Sequence, residues 1–147
     1  MKVRKVLQKD VETLAKQIVN VLAKPPYGEF WVPEVAGEYL STLLSFDHEN
    51  CFCIEDNNGN VVGAVFFTVR PYYLGKYAVV EEIFIAEQHR KKGYGRKLLQ
   101  ESLSQLKKNG VNGITWKVNE KADTYSFSKR MGFKELYEWK YLIKILS

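Results

Sequence analysis

Two adjacent glutamates, Glu81 and Glu82, are followed closely by the stretch HRKKGYGRK at 89–97, in which five of nine residues are Arg or Lys and two are glycine. A carboxylate can take a proton from an arriving ammonium group. On a strand, successive side chains point to opposite faces, so only one of the two glutamates can face a reacting group. The basic stretch has three candidate uses: gripping nucleic acid, holding a small phosphorylated ligand, or ending a solvated helix.

The flanking elements narrow that choice. Apolar alternation in YAVVEEIFI (77–85) predicts a strand ending at Ile85, and the spacing of Leu98, Leu99, Leu103 and Leu106 predicts a helix over 93–108. The loop therefore sits where a strand hands over to a helix start. Free N–H groups and a partial positive charge make such a start an anion site. Gly93 and Gly95 let a ligand approach the backbone, and Arg90, Lys91, Lys92, Arg96 and Lys97 add charge around it. A Walker loop is absent. The dinucleotide fingerprint fails because Leu98 stands where its third glycine belongs and no acidic residue lies near 115. What remains is R-x-x-G-x-G, Arg90 to Gly95. Nucleic acid is disfavoured, since the patch is compact and lacks a second basic stripe along which a phosphate backbone could run.

The rest of the chain reads as one α/β domain, 1–147. A strand over 2–7 is followed by a helix from Asp10 with Val11, Leu14, Ala15, Ile18 and Leu22 inward, ended by Lys24-Pro25-Pro26. A second helix starts near Pro33 with Ala36, Tyr39, Leu40, Leu43 and Leu44 on one side. Strands follow at 51–55 and 61–70, closed by Pro71, then at 77–85. After the 93–108 helix come a buried strand at 113–118, parallel to its neighbour across the helical crossover, a helix at 121–131, and strands near 133–137 and 139–146. The order is β-α-α-β-β-β-α-β-α-β-β around a mixed sheet.

With 147 residues, 46% of them hydrophobic, the chain can build a core without disulfides or metals. Its net charge of +5 permits an anionic ligand without requiring one. Cys51 and Cys53 alternate on a strand, point to one face, and are poorly placed to bond each other. With His48 they form H-x-x-C-x-C, but no second ligand pair follows, so no metal is expected. Charges at Lys2, Arg4, Lys5 and Lys9 interrupt the first apolar stretch, and no run approaches the roughly 20 apolar residues of a membrane span. A cytoplasmic protein is expected, without membrane or nucleic-acid partners. A homodimer is left open.

The stretch VVEEIFIAEQHRKKGYGRKLLQ (79–100), with Asp10 in the first helix, Gly63 in the third strand and Gly132-Phe133 after the last helix, resembles the GNAT superfamily of acetyl-CoA-dependent N-acetyltransferases. The resemblance covers nearly the whole chain and implies that superfamily's three-layer fold, a mixed and partly splayed sheet flanked by helices. The E-E-I-F-I strand is most similar to the branch acting on small amines such as polyamines. By resemblance, Ile83, Phe84 and Ile85 pair with the pantetheine arm, the amides of Lys91, Lys92, Gly93, Tyr94, Gly95 and Arg96 hold the pyrophosphate with Arg90 also at the cofactor, and Asn119 contacts the pantetheine or cysteamine end.

An alkyl amine has a pKa near 10.4, so about one molecule in 2,500 is neutral at pH 7. Glu81 matches the acidic residue of the small-amine branch and is the expected base, with Glu82 assigned to substrate. Family members often place a tyrosine four residues before the Gly-Phe to protonate the leaving thiolate. Here that position is Ser128, and Tyr125 lies about one helical turn away. Tyr125, Ser128 or no residue fills the role. The first loop offers Tyr27, Glu29, Phe30 and Trp31 to the acceptor, and aromatic faces beside carboxylates suit a cationic amine. Two alternatives stand beside a small-amine acetyltransferase: an enzyme acting on peptides or proteins, and an acyl-CoA-binding module without chemistry.

Overall fold

A computed structural model describes residues 1–147. The elements are β1 (Lys2–Lys5), α1 (Val11–Ala23), α2 (Pro33–Phe46), β2 (Cys51–Glu55), β3 (Val61–Tyr72), β4 (Gly75–Ile85), α3 (Tyr94–Lys108), β5 (Val111–Trp116) and α4 (Asp123–Arg130). They fall into two compact units, Met1–Lys117 and Val118–Ser147.

The first unit carries a five-stranded sheet in the order β1-β2-β3-β4-β5. The first three pairings are antiparallel and β4 with β5 is parallel, as the helical crossover through α3 requires. Strand alternation sorts the core. Cys51, Cys53, Ala64, Phe66 and Phe84 join Leu14, Ile18, Leu40 and Leu44 in the cluster under α1 and α2. The opposite parity, including Phe52, Ile54, Val65 and Phe67, is also buried, as are Leu98, Leu99 and Leu106 of α3. Both thiols are thus core groups, and burial pushes each up to about 12. Between β1 and α1, Arg4 donates to both carboxylate oxygens of Asp10 at 2.8 and 3.0 Å, and Asp10 also accepts the Leu7 N–H at 2.8 Å.

Several expectations need correction. β3 does not close at Pro71 but runs to Tyr72, paired with β4 throughout. β2 stops pairing at Phe66, so beyond it no strand covers the outer edge of β3, where Asp47 Oδ2 accepts the Val69 N–H at 2.9 Å, and a residue without an N–H is tolerated at Pro71. β5 starts at Val111 and ends at Trp116, two residues early at each end. The strands expected near 133–137 and 139–146 are not formed, so the observed order stops at α4. Alternation in KELYEWKYLIKILS expresses propensity only. A strand also needs an edge to pair with, and Leu136, Trp139, Leu142, Ile143 and Leu146 are instead exposed.

Candidate active site

The site begins with a mismatch of strand lengths. β4 pairs with β3 as far as Ile85, but with β5 only from Lys76 to Val80. From Glu81 to Ile85 the edge of β4 that faced β5 is open. The departure coincides with a bulge: Phe66 opposes Glu82 and Phe67 opposes Val80, leaving Glu81 as the extra residue. Bulges bend a strand and increase its twist, which accounts for the sheet opening at this point. Ile83, Phe84 and Ile85 lie on the opened edge.

The basic loop follows directly. Arg90 turns back, its Nε donating to Ile85 O at 3.4 Å. Lys91 has φ +60° and Gly93 φ +90°, so the backbone curls through left-handed conformations before α3. Gly93 is the N-cap and supplies no side-chain cap. The first helical bond is Lys97 N–H to Gly93 O at 3.1 Å, so the N–H groups of Tyr94, Gly95 and Arg96 have no intrahelical acceptor. No acidic residue occupies the first turn of α3. Tyr94 is buried and edge-on to His89, with centroids 5.4 Å apart, which anchors the helix start. An extended open strand edge and a nearby crown of free amides fit a ligand with a peptide-like arm and an anionic head.

The bulge also alters the relation between the two glutamates. Strict alternation would turn them to opposite faces, but the extra residue breaks the alternation between Val80 and Glu82. Glu82 shares the face of Phe84 and Phe66, under α1 and α2. There Tyr39 of α2 donates its hydroxyl proton to Glu82 Oε2 at 2.6 Å. Burial pushes the Glu82 carboxyl up to about 7; the Tyr39 hydrogen bond and Lys117 oppose the rise, while Glu29 and Glu81 add to it. Burial, together with Glu82, Glu81 and Glu29, likewise holds the Tyr39 phenol well above its ordinary value. Both carboxylates of the pair, and Glu29, therefore act electrostatically on Tyr39.

Trp31 stacks at 5.1 Å on Tyr39 and donates its indole N–H to Glu29 at 2.8 Å. Glu29 is tied to α1 through its own N–H to Leu22 O at 2.8 Å. A shallow groove of about 320 Å³ is lined by Glu29, Phe30, Trp31, Val32 and Val35. Tyr27 packs against the core beside it. Periodicity places Tyr39 among the inward residues of α2 but gives it no role. Its one signal in the sequence is a phenol in an otherwise aliphatic stripe.

Asn119, Tyr125 and Ser128 belong to the second unit. Asn119 Oδ1 accepts the Lys121 N–H at 2.9 Å in the turn before α4. Tyr125 donates to Glu135 at 2.9 Å and accepts from Lys129 at 2.7 Å. Ser128 is buried and its hydroxyl donates to Tyr125 O at 2.7 Å.

A mixed sheet opened beside a helix start with free amides defines an α/β fold built to hold an extended, anionic cosubstrate. The family model described as acetyltransferase (GNAT) family matches residues 16–133, and the chain belongs to that family, whose members use acetyl-CoA as co-substrate. Over 87 residues it is 34% identical to an L-ornithine N5-acetyltransferase of Arabidopsis thaliana, covering 57% of this chain and 38% of that protein. Over 91 residues it is 31% identical to an uncharacterised N-acetyltransferase of Chlorobaculum tepidum, covering 61% and 54%. The chain thus spans about half or less of these relatives' length. Among solved structures, a possible acetyltransferase from Clostridium difficile 630 superposes with TM-score 0.82 at 18% identity, covering 99% of this chain and 98% of that one. Glucosamine-6-phosphate N-acetyltransferase from Arabidopsis thaliana superposes with TM-score 0.71 at 14% identity, covering 99% and 98%. These likenesses establish the fold.

Proposed function

We propose that the protein transfers an acetyl group from acetyl-CoA to the primary amine of a small cationic molecule. The observation that carries this reading is the opened β4 edge leading into the uncapped start of α3. Ile83, Phe84 and Ile85 offer backbone groups to the pantetheine arm. The amides and side chains from Arg90 to Arg96 meet the pyrophosphate. Asn119 is the expected contact for the cysteamine end. When bound, acetyl-CoA supplies an activated acetyl thioester.

The protein's own share of the chemistry is to bind a cation and remove its proton. Glu29, Glu81 and Glu82 give the acceptor side a negative field, and Trp31 and Tyr27 offer aromatic faces to an ammonium group. A carboxylate of the Glu81–Glu82 pair takes the proton from the amine nitrogen, since only the neutral amine is nucleophilic. The resemblance assigns this role to Glu81, the residue at the bulge. Of the two hydroxyls expected to supply a proton to the leaving sulfur, Tyr125 is the stronger chemical candidate. A phenol is the better acid; both protons are engaged in the structure, that of Ser128 by the Tyr125 carbonyl and that of Tyr125 by Glu135. The small cationic acceptor draws support from the carboxylates and from the ornithine-acetylating relative.

The test is direct. The protein is incubated with acetyl-CoA and a panel of polyamines, basic amino acids, aminoglycosides and lysine peptides, and free thiol is followed. Turnover confined to small di-cationic amines is expected. Absence of acetyl-CoA binding by calorimetry would sink the reading, and faster turnover on peptides would replace the acceptor class.

A further inference from the structure

The Tyr39–Glu82 contact joins a helix to a strand 43 residues away, and nothing in the cofactor site requires it. We infer that Glu82 is the proton acceptor of the reaction and that Tyr39 is its positioning residue, holding the Glu82 carboxylate in place from α2. The inference rests on the acetyltransferase reading above and departs from the assignment of the base to Glu81.

Three features of geometry support it. First, Glu82 follows the bulge that opens the sheet, so it stands at the start of the free β4 edge with a ladder partner on β3. Second, its partner is braced. Tyr39 stacks on Trp31, Trp31 donates to Glu29, and Glu29 is bonded to α1. These linked contacts run from the groove of the first loop to the Glu82 carboxylate, so the acceptor groove and the proton acceptor share one support. Third, a hydroxyl donor leaves the carboxylate with further lone pairs for an incoming ammonium group.

The charged surroundings set the pH behaviour. Glu82 faces Tyr39 from α2, Glu29 from the loop before it, Glu81 on its own strand and Lys117 just after β5. A carboxyl titrating near neutrality suits a general base, being ionised often enough to accept a proton and basic enough to take one. In the step, the N–H bond of the ammonium breaks, its electron pair stays on nitrogen, and the proton goes to a Glu82 oxygen.

Tyr39→Phe keeps the ring on Trp31 and removes only the hydroxyl. Because that hydrogen bond favours the ionised form, its loss moves the Glu82 titration to higher pH. Two measurements separate the inference from the reading it rests on. Carbon-13 titration of labelled glutamate carboxyls, without any substrate, should show one carboxyl titrating near 7 that vanishes in Glu82→Gln and moves upward in Tyr39→Phe. The pH profile of kcat/KM with 1,4-diaminobutane and L-ornithine should show an acid limb that moves upward in Tyr39→Phe. In Glu82→Gln, kcat/KM should fall about 100-fold at about pH 7.5, and in Glu81→Gln the limb should persist but move to lower pH, because the Glu81 charge helps to raise the Glu82 carboxyl. An unmoved limb in Tyr39→Phe, or its loss in Glu81→Gln but not Glu82→Gln, overturns the inference with the acetyltransferase reading intact. No turnover by the wild type on any amine, with the titration as expected, overturns the reading.

Discussion

Gly63 on β3 and Ile85 on β4 stand opposite each other so closely that a β-carbon on Gly63 would lie 2.5 Å from Ile85 Cδ1 and 2.6 Å from Phe84 O. The Ile85 side chain can rotate away, but the Phe84 carbonyl is backbone and cannot yield without moving β4. Gly63→Ala should therefore cost about 1–3 kcal/mol, the range for overpacking, and weaken acetyl-CoA binding through Phe84 and Ile85. Gly37 in α2 has nothing within 4 Å of its would-be β-carbon. Gly37→Ala should have the opposite sign, stabilising by about 0.4–1 kcal/mol. Urea unfolding of both variants checks the pair.

The loop before α3 makes a second contrast. Gly93 has φ +90° with only Met1 Cε at 4.0 Å, so its constraint is conformational and not one of space. Valine in that region costs at least about 1–2 kcal/mol, and relief of the strain redirects the amides of Tyr94 to Arg96. Lys91 already sits at φ +60°, so Lys91→Ala changes charge and leaves the backbone preference almost unaltered. Calorimetric titration with acetyl-CoA should show Gly93→Val weakening binding by about tenfold or more, since each tenfold is roughly 1.4 kcal/mol. Lys91→Ala should lose only a few-fold.

Most of this frame is legible in the sequence, because its signals are local. Periodicity marks α1, α2 and α3, alternation marks β2 to β4, and the R-x-x-G-x-G string declares a helix start. The bulge at Glu81 is not local. It is an offset between two strands and appears only when Phe66 and Phe67 are set against Glu82 and Val80. The Tyr39–Glu82 bond is likewise a tertiary event, invisible in a helix whose apolar stripe already explains Tyr39 as core. The segment after Phe133 shows the converse: strand-like alternation without a paired edge.

Asp10 ties the start of α1 to β1, and its behaviour in acid follows. Burial alone would raise its carboxyl, but the Arg4 hydrogen bonds and the Leu7 N–H prevail and hold it below the ordinary range. A depressed folded-state pKa stabilises the fold above the unfolded value, near 3.9, and that stability is lost as pH falls through the folded value. Asp10→Ala should cost about 1–3 kcal/mol at pH 7, because it leaves the Leu7 amide without its acceptor and Arg4 with Glu55 as its remaining carboxylate. As pH falls through the lowered folded value, the protonated wild type should approach the mutant. Denaturant midpoints across about pH 2–7 read the convergence.

Glu82 has the reverse sign. Its folded carboxyl titrates near 7 against about 4.5 when unperturbed. The folded state therefore binds the proton more tightly than the unfolded chain. Below the unfolded pKa both forms are protonated and the residue costs nothing. As pH rises toward 7 the unfolded chain ionises first, and stability falls by on the order of 3 kcal/mol before levelling off. Glutamine at this position carries no charge and can still accept the Tyr39 hydroxyl. Glu82→Gln should thus match the wild type at about pH 4.5 and exceed it in stability at about pH 8, while losing turnover. Equal unfolding midpoints at the higher pH would show that the carboxylate is solvated in the folded protein.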